Sequence, residues 1–284
     1  MHTTSHPPAQ TQIPLALVEV PPLPAVAIRA LQMASSEFGQ MRELSDLVSA
    51  DPGFCAQILR IANSPLWGIN YEVKSVLQAL LLLGLERTKG VILTIGIRSY
   101  LADAIHIPAF LACWRHSIAC ALVAEELARV SRAQPDIAYT AGLIHDIGRL
   151  ALAVIHREAY ADFLKNPQSQ PGEILARESE LFAIDHCEAG GTLAERWNLP
   201  RSLAEIISKH HHPPQENRLG LLDVIHFACR IADSLGFEAA HTADTPDYVE
   251  LIAAIPAPMR GHLPIDRNDF AFRVAAIINS IELA

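Results

Sequence analysis

Apolar positions recur at three- and four-residue steps along most of this 284-residue chain, the period of an amphipathic helix. The period begins at Val26, Ala30 and Met33, after a proline cluster that ends an extended entry. "MRELSDLVSADPGFCAQILRIANSPLWG" predicts two short helices. Asp51 is placed to cap the second, with Pro52 at its first position, and Asn63-Ser64-Pro65 stops it. "SVLQALLLLGLERTKGVILTIGIRSYLA" predicts two more, divided near Gly84. From Pro108 the helices lengthen. "AFLACWRHSIACALVAEELARV" and "PDIAYTAGLIHDIGRLALAVI", the latter started by a Pro135-Asp136 cap, are expected to be the longest. "PGEILARESELFA", "DHCEAGGTLAERWNL", "PRSLAEIISKHHH" and "LLDVIHFACRIADSLG" follow as helices with Pro or Gly at their edges, and "DRNDFAFRVAAIINSIELA" closes the series. No segment alternates apolar and polar residues between Gly or Asn turns, so no sheet is expected and the fold class is all-α. Residues 1–12 are expected to form a disordered tail.

Composition narrows the partners. Half the residues are apolar, enough for the core of one large domain or two modest ones. The formal net charge is −9 with Lys and Arg scattered, which disfavours nucleic acid as a partner. "MHTTSHPPAQTQ" lacks the basic start and apolar centre of a secretory signal. The longest apolar run, "SVLQALLLLGL", is too short to span a bilayer. Arg87 and Lys89, just after it, read as a solvated helix edge. These features predict a soluble cytoplasmic protein with no membrane partner. The five cysteines form no Cys-x-x-Cys pair, and Cys113 and Cys120 are seven apart on one helix face, about 10 Å, too far for a disulfide. They read as small buried hydrophobes in a reducing compartment.

The candidate chemistry lies in the histidines. His145-Asp146 stand side by side inside the apolar run "AGLIHDIGRL". Burying both costs several kcal/mol unless each finds a partner. That partner is a metal ion, a phosphate or neighbouring protein, and spacing alone leaves the three open. His116, His186, His210, His211 and Asp233 also fall in or at the ends of apolar helices. Neutral imidazoles and carboxylates are the usual ligands of Zn, Fe and Mn. Adjacent residues on a helix point about 100° apart. The doublet therefore reaches one site from two sides, or its carboxylate bridges two ions. His226, seven before Asp233, reads as a core or surface residue, with support of a ligand as the alternative.

"WRHS", "GLIHDIGRL", "DHCEAGGTLAERWNLP", "ISKHHHPP" and "RIAD" resemble, in that order, the HD superfamily of metal-dependent phosphohydrolases. With the preceding "PPLPAVAIRALQM", "DPGFCAQILRIANSPLWG" and "VKSVLQALLLLGLERTKGVIL", the chain resembles the HDOD domain, the HD-related output domain of bacterial signalling proteins, over residues 15–235. The resemblance implies an N-terminal helical subdomain over 13–105, packed on an HD-like helical subdomain over 106–237, with a C-terminal helical extension over 238–284. It implies that His116, His145, Asp146 and Asp233 hold one divalent ion. It implies that His186, His210 and His211 hold a second, bridged by Asp146, as in HD-GYP relatives. The chain departs from those relatives in three places. Arg149 stands where they have lysine, "HHHPPQENRLG" replaces the Gly-Tyr-Pro loop, and Ala112 replaces an acidic residue. These departures count against cyclic-di-GMP hydrolysis of that type.

Two functions follow. One is a regulatory output module that acts through contacts with other signalling proteins, or through a nucleotide or phosphate ligand. The other is a metal-dependent phosphohydrolase, with Asp146 as a ligand at the reacting centre and Arg149 as a phosphate clamp.

Overall fold

The computed structural model describes residues 17, 20–33, 38–63, 72–131, 133–166, 173–212, 220–240, 247–256, 260, 263–264 and 266–283. The expected tail, the Ser64-Pro65 stop and the "PPQENRL" loop lie outside them. Every regular element among the described residues is a helix. The first five are α1 (Ala25–Gln32), α2 (Phe38–Ser49), α3 (Pro52–Ala62), α4 (Val76–Leu83) and α5 (Leu85–Tyr100). The next five are α6 (Pro108–Ala128), α7 (Pro135–Ile144), α8 (Ile147–Ile155), α9 (Arg157–Lys165) and α10 (Glu173–Phe182). The last five are α11 (His186–Arg196), α12 (Arg201–Lys209), α13 (Leu221–Ser234), α14 (Tyr248–Ala254) and α15 (Arg267–Leu283).

The local signals act as their chemistry requires. Asp51 Oδ1 accepts from the amides of Gly53 and Phe54 at 2.9 and 3.1 Å, and Pro52 follows at the first position of α3. Gly84 parts α4 from α5 with φ at 78°, a conformation that L side chains avoid. Asp185 Oδ1 caps α11 through the amide of Glu188 at 2.8 Å. Helix α7 does begin at Pro135, but Gln134 is its N-cap and makes no side-chain bond; Asp136 sits in the first turn instead.

Helix α6 is the central strut, packed on α7 and α13, with α15 across it. Helix α8 packs on α11, α11 on α12, and α1 on α5. One continuous apolar cluster runs from Leu17 through Trp114 to Ile278. The edge after the long apolar run is not solvated as expected. Lys89 is buried and donates to the Met33 carbonyl at 2.8 Å. Arg87 pairs with Glu125 on α6 at 2.7 Å. Both charges tie α5 to its neighbours. The segment Pro135–Ile155 is long and apolar enough to cross a membrane, but 83% of that window is buried inside the fold.

That same segment departs from the expected single long helix. It breaks at the doublet: His145 caps α7, and Asp146, at φ −99° and ψ 20°, opens α8. Two close approaches flank the break. A Cβ on Gly142 would lie 2.7 Å from the Ala121 Cα on α6. A Cβ on Gly148 would lie 1.8 Å from the His186 carbonyl oxygen. Only glycine lets α7 meet α6, and α8 meet the start of α11, at those distances. His145 is thereby brought to His116, and Asp146 to His186.

Candidate metal centre

Asp146 is the hub. Its Oδ1 lies 3.3 Å from His186 Nε2 and 3.2 Å from His210 Nε2. Its Oδ2 lies 3.7 Å from His145 Nε2, 3.8 Å from His116 Nε2 and 2.8 Å from Arg149 Nε. His211 Nε2 is 3.0 Å from His186 Nε2. His116, His145, Asp146, Arg149, His186 and His210 are all 3% exposed or less. The side chains that the sequence pattern singled out therefore converge, with one qualification at Asp233. Its Oδ1 lies 3.2 Å from His116 Nδ1, the ring nitrogen turned away from His145.

The imidazoles are oriented by their other nitrogens. A carbonyl only accepts, so a ring nitrogen bonded to one carries the hydrogen. His145 Nδ1–H donates to the Gly142 carbonyl at 2.6 Å, His116 Nδ1–H to Phe237 at 2.8 Å, and His210 Nδ1–H to Ile207 at 3.0 Å. His186 Nδ1 donates to the Glu178 carboxylate, whose Oε2 also accepts the His186 amide at 2.9 Å. Wherever a ring is neutral its Nε2 is then a lone pair, and all four Nε2 atoms face inward. His116 Nε2 and His145 Nε2 stand 3.3 Å apart, with the Cys229 thiol 3.5 Å from the former. Asp146 Oδ1 and His210 Nε2 are buried and make no hydrogen bond, though only 3.2 Å separates them. Unsatisfied buried atoms of this kind cost about 1–3 kcal/mol each, and lone pairs aimed at one another are what a cation reconciles. The donor set fits a divalent metal.

The charges around the hub are strongly perturbed. Burial pushes the Asp146 carboxyl up, but Arg149, His145 and His186 outweigh it and hold it well below the usual carboxylate range. Glu178 likewise falls to about 2, because His186 and Arg149 overcome its burial. Burial and Arg149 lower His186, yet Glu178 and Asp146 carry it to about 10. Burial keeps His145 and His211 well below the usual histidine range. A proton and a cation thus compete for some of the same lone pairs, so metal affinity depends on pH.

Three residues that the sequence reading passed over complete the site. Glu178, fully buried, accepts from His186, from Tyr160 OH at 2.8 Å and from Arg149 Nη1 at 3.2 Å. Its signal was present: Ile174, Glu178 and Phe182 occupy one buried stripe of α10, an acid at four-residue spacing between apolar residues. Tyr160 sits on α9, a helix the periodicity reading missed. Cys229, read as a core hydrophobe, places Sγ 3.5 Å from His116 Nε2. Donor atoms of His186, Cys187, His210 and His211 lie within 4.8 Å of one another, as do those of His116, His145 and Cys229, and those of His145, Asp146 and His210. His226 proves to be a support: its Nδ1–H donates to the His210 carbonyl at 3.0 Å. A cavity of about 1050 Å³ lies elsewhere, lined by Arg60, Arg129, Tyr139, Phe270 and Arg273 among others, and by none of these histidines.

An all-helical bundle that gathers histidines around a buried His-Asp doublet defines an HD-type protein. The HDOD domain model matches residues 20–213, and the chain belongs to that family. A protein of Treponema pallidum (strain Nichols) with no described function is 25% identical over 221 residues. The match covers 74% of this chain and 41% of that one, so the chain spans about two fifths of the length of this curated relative. A structure from Marinobacter aquaeolei VT8, provisionally named a signal transduction protein, is 20% identical with a TM-score of 0.64, covering 94% of this chain and 59% of that one. Another from Shewanella amazonensis SB2B, provisionally named a metal-dependent phosphohydrolase, is 17% identical with a TM-score of 0.62, covering 92% of each chain. Both share the fold.

Proposed function

We propose that this chain is a signalling output module built around a buried metal centre, and that the centre organises the fold rather than turning over a phosphoester. One or two divalent ions, of the Zn, Fe or Mn kind, would be held by the histidines around Asp146. The observation that carries this reading is the fate of Arg149. A phosphate clamp must present its guanidinium to a substrate. Arg149 is 3% exposed, its Nε is engaged by Asp146 and its Nη1 by Glu178 and Tyr160. Freeing it would strand two buried carboxylates, at about 3–5 kcal/mol for a broken buried pair. The bound ion would supply charge that holds the inward lone pairs together. The chain's own residues do the rest: carbonyls fix the tautomers, Glu178 orients His186, and Arg149 balances Asp146. The state of the centre would be passed on through other signalling proteins. A small nucleotide or phosphate ligand would bind apart from the centre, in the cavity where Arg60, Arg129 and Arg273 stand with Glu125, Glu126 and Asp136.

Metal analysis of untagged protein purified without chelator, paired with a phosphodiesterase assay on a chromogenic diester, tests the reading. Bound metal with no turnover above buffer is expected. Turnover that disappears in Asp146→Ala would instead favour the hydrolase, the second reading. That reading is supported by the position of one carboxylate between two groups of donors.

A further inference from the structure

We infer that Cys229 is a thiolate ligand of the ion held by His116 and His145, and that Asp233 orients His116 from behind. The assignment rests on the metal-centre reading above. Helix α13 presents His226, Cys229 and Asp233 along one face, at steps of three and four residues. Of the three, it is Cys229 that reaches the inward nitrogen of His116. Its Sγ stands 3.5 Å from Nε2, and His145 Nε2 stands 3.3 Å from the same atom. Bonds of about 2.0–2.1 Å to imidazole nitrogen and about 2.3 Å to thiolate sulfur set tetrahedral edges of about 3.3–3.4 Å between nitrogens and about 3.5–3.6 Å from nitrogen to sulfur. Both observed separations match. Asp146 Oδ2, at 3.7 and 3.8 Å from the two nitrogens and 2.8 Å from Arg149 Nε, stands outside such an edge and would have to move inward by a few tenths of an ångström to serve as the fourth donor.

Asp233 has a different role. Its Oδ1 lies 3.2 Å from His116 Nδ1, on the far side of the ring from the ion position. A carboxylate there fixes the tautomer and raises the basicity of the ligating nitrogen. It shares this task with the Phe237 carbonyl. Without an ion the thiol donates to His116 Nε2; with an ion bound, the same 3.5 Å separation suits two ligands of one cation. Binding exchanges the Sγ proton for the cation and releases that proton to solvent. A soft donor selects Zn²⁺ or Co²⁺ over Mg²⁺, Mn²⁺ or Ca²⁺.

The test loads the full chain with Co²⁺ and records its near-ultraviolet spectrum. Wild type is expected to show thiolate-to-cobalt charge-transfer absorption. Cys229→Ser should lose the band. Cys187→Ala should keep it. Asp233→Asn should keep it too, while weakening cobalt binding about 10- to 100-fold. Should Cys229→Ser fail to fold, X-ray absorption of the Co²⁺-loaded Cys187→Ala protein decides, with one sulfur at about 2.3 Å expected. Cobalt bound without the band, or a band that survives Cys229→Ser, overturns the thiolate and leaves the metal centre standing. No cobalt bound at all overturns both.

Discussion

The two groups of histidines meet at Asp146 but are braced by different means. Around His116 and His145 the bracing is mostly main chain: the carbonyls of Phe237 and Gly142 set the tautomers, with the Asp233 carboxylate beside the first. Around His186 it is a buried side-chain network, Glu178 with Arg149 and Tyr160. The electrostatics vary ring by ring rather than group by group. Burial prevails at His145 and His211 and keeps both low, whereas, against burial, Cys229 and Asp233 raise His116 and the carboxylates carry His186 to about 10. A ring held by carbonyls keeps its orientation as long as the helices pack. A ring held by a buried ion network depends on every charge in that network. The fold around the first group is therefore expected to tolerate single side-chain changes behind it, Asp233 acting on metal affinity rather than on packing, and the fold around the second is brittle.

The largest expected effect breaks the second group. Glu178→Ala leaves Arg149 and His186 without their buried carboxylate and should cost about 3–5 kcal/mol. Urea unfolding measures it; a loss below about 1 kcal/mol would mean that Glu178 does not brace the site. The packing on each side can be compared next. Gly148→Ala drives a methyl into the His186 carbonyl and should cost about 3 kcal/mol, while Gly142→Ala, meeting Ala121 at 2.7 Å, should cost about 1–2 kcal/mol. The reverse order in thermal melts would contradict the packing account.

Metal removal addresses the shared hub. A chelator should lower wild-type stability by ~2.7 kcal/mol from a starting metal concentration a hundred times the dissociation constant. Asp146→Ala should be less stable at the outset and insensitive to the chelator. Equal insensitivity of both proteins to a chelator shown to reach the site would mark the doublet as a protein-only pair. Acid should also separate the groups. The folded Glu178 carboxyl titrates at about 2, below its ordinary value, so the unfolded chain binds more protons between about pH 4.5 and 2. Stability from Glu178 is present above that window and is lost as pH falls through it. Metal-free Glu178→Gln should show a shallower slope of stability against pH there; an unchanged slope would place the acid sensitivity elsewhere. The smallest effect sharpens the same contrast: Tyr160→Phe removes one hydroxyl from the network and should cost about 1 kcal/mol.

How much of this was legible depended on whether the signal was local. The α3 cap, the Gly84 division and most of α6, α11 and α13 followed from periodicity and turn chemistry alone. The doublet segment did not, because its apolar period runs unbroken through the helix break, and the close approaches of Gly142 to α6 and Gly148 to α11 on either side of it are tertiary. Helix α9 was missed with its Tyr160. Lys89 was misread because its partner, the Met33 carbonyl, lies 56 residues away.

The sequence by itself determined that the described regular elements are helical, because helix period is a property of neighbours along the chain, and its resemblance to the HDOD family singled out the His and Asp residues that the fold brings together. Only the tertiary structure decided which lone pairs face inward. It also placed Glu178 and Tyr160 behind Arg149, and set Cys229 rather than Asp233 beside His116 Nε2. Each of those outcomes turns on a separation of a few ångströms between helices distant in sequence, and no local pattern encodes such a distance.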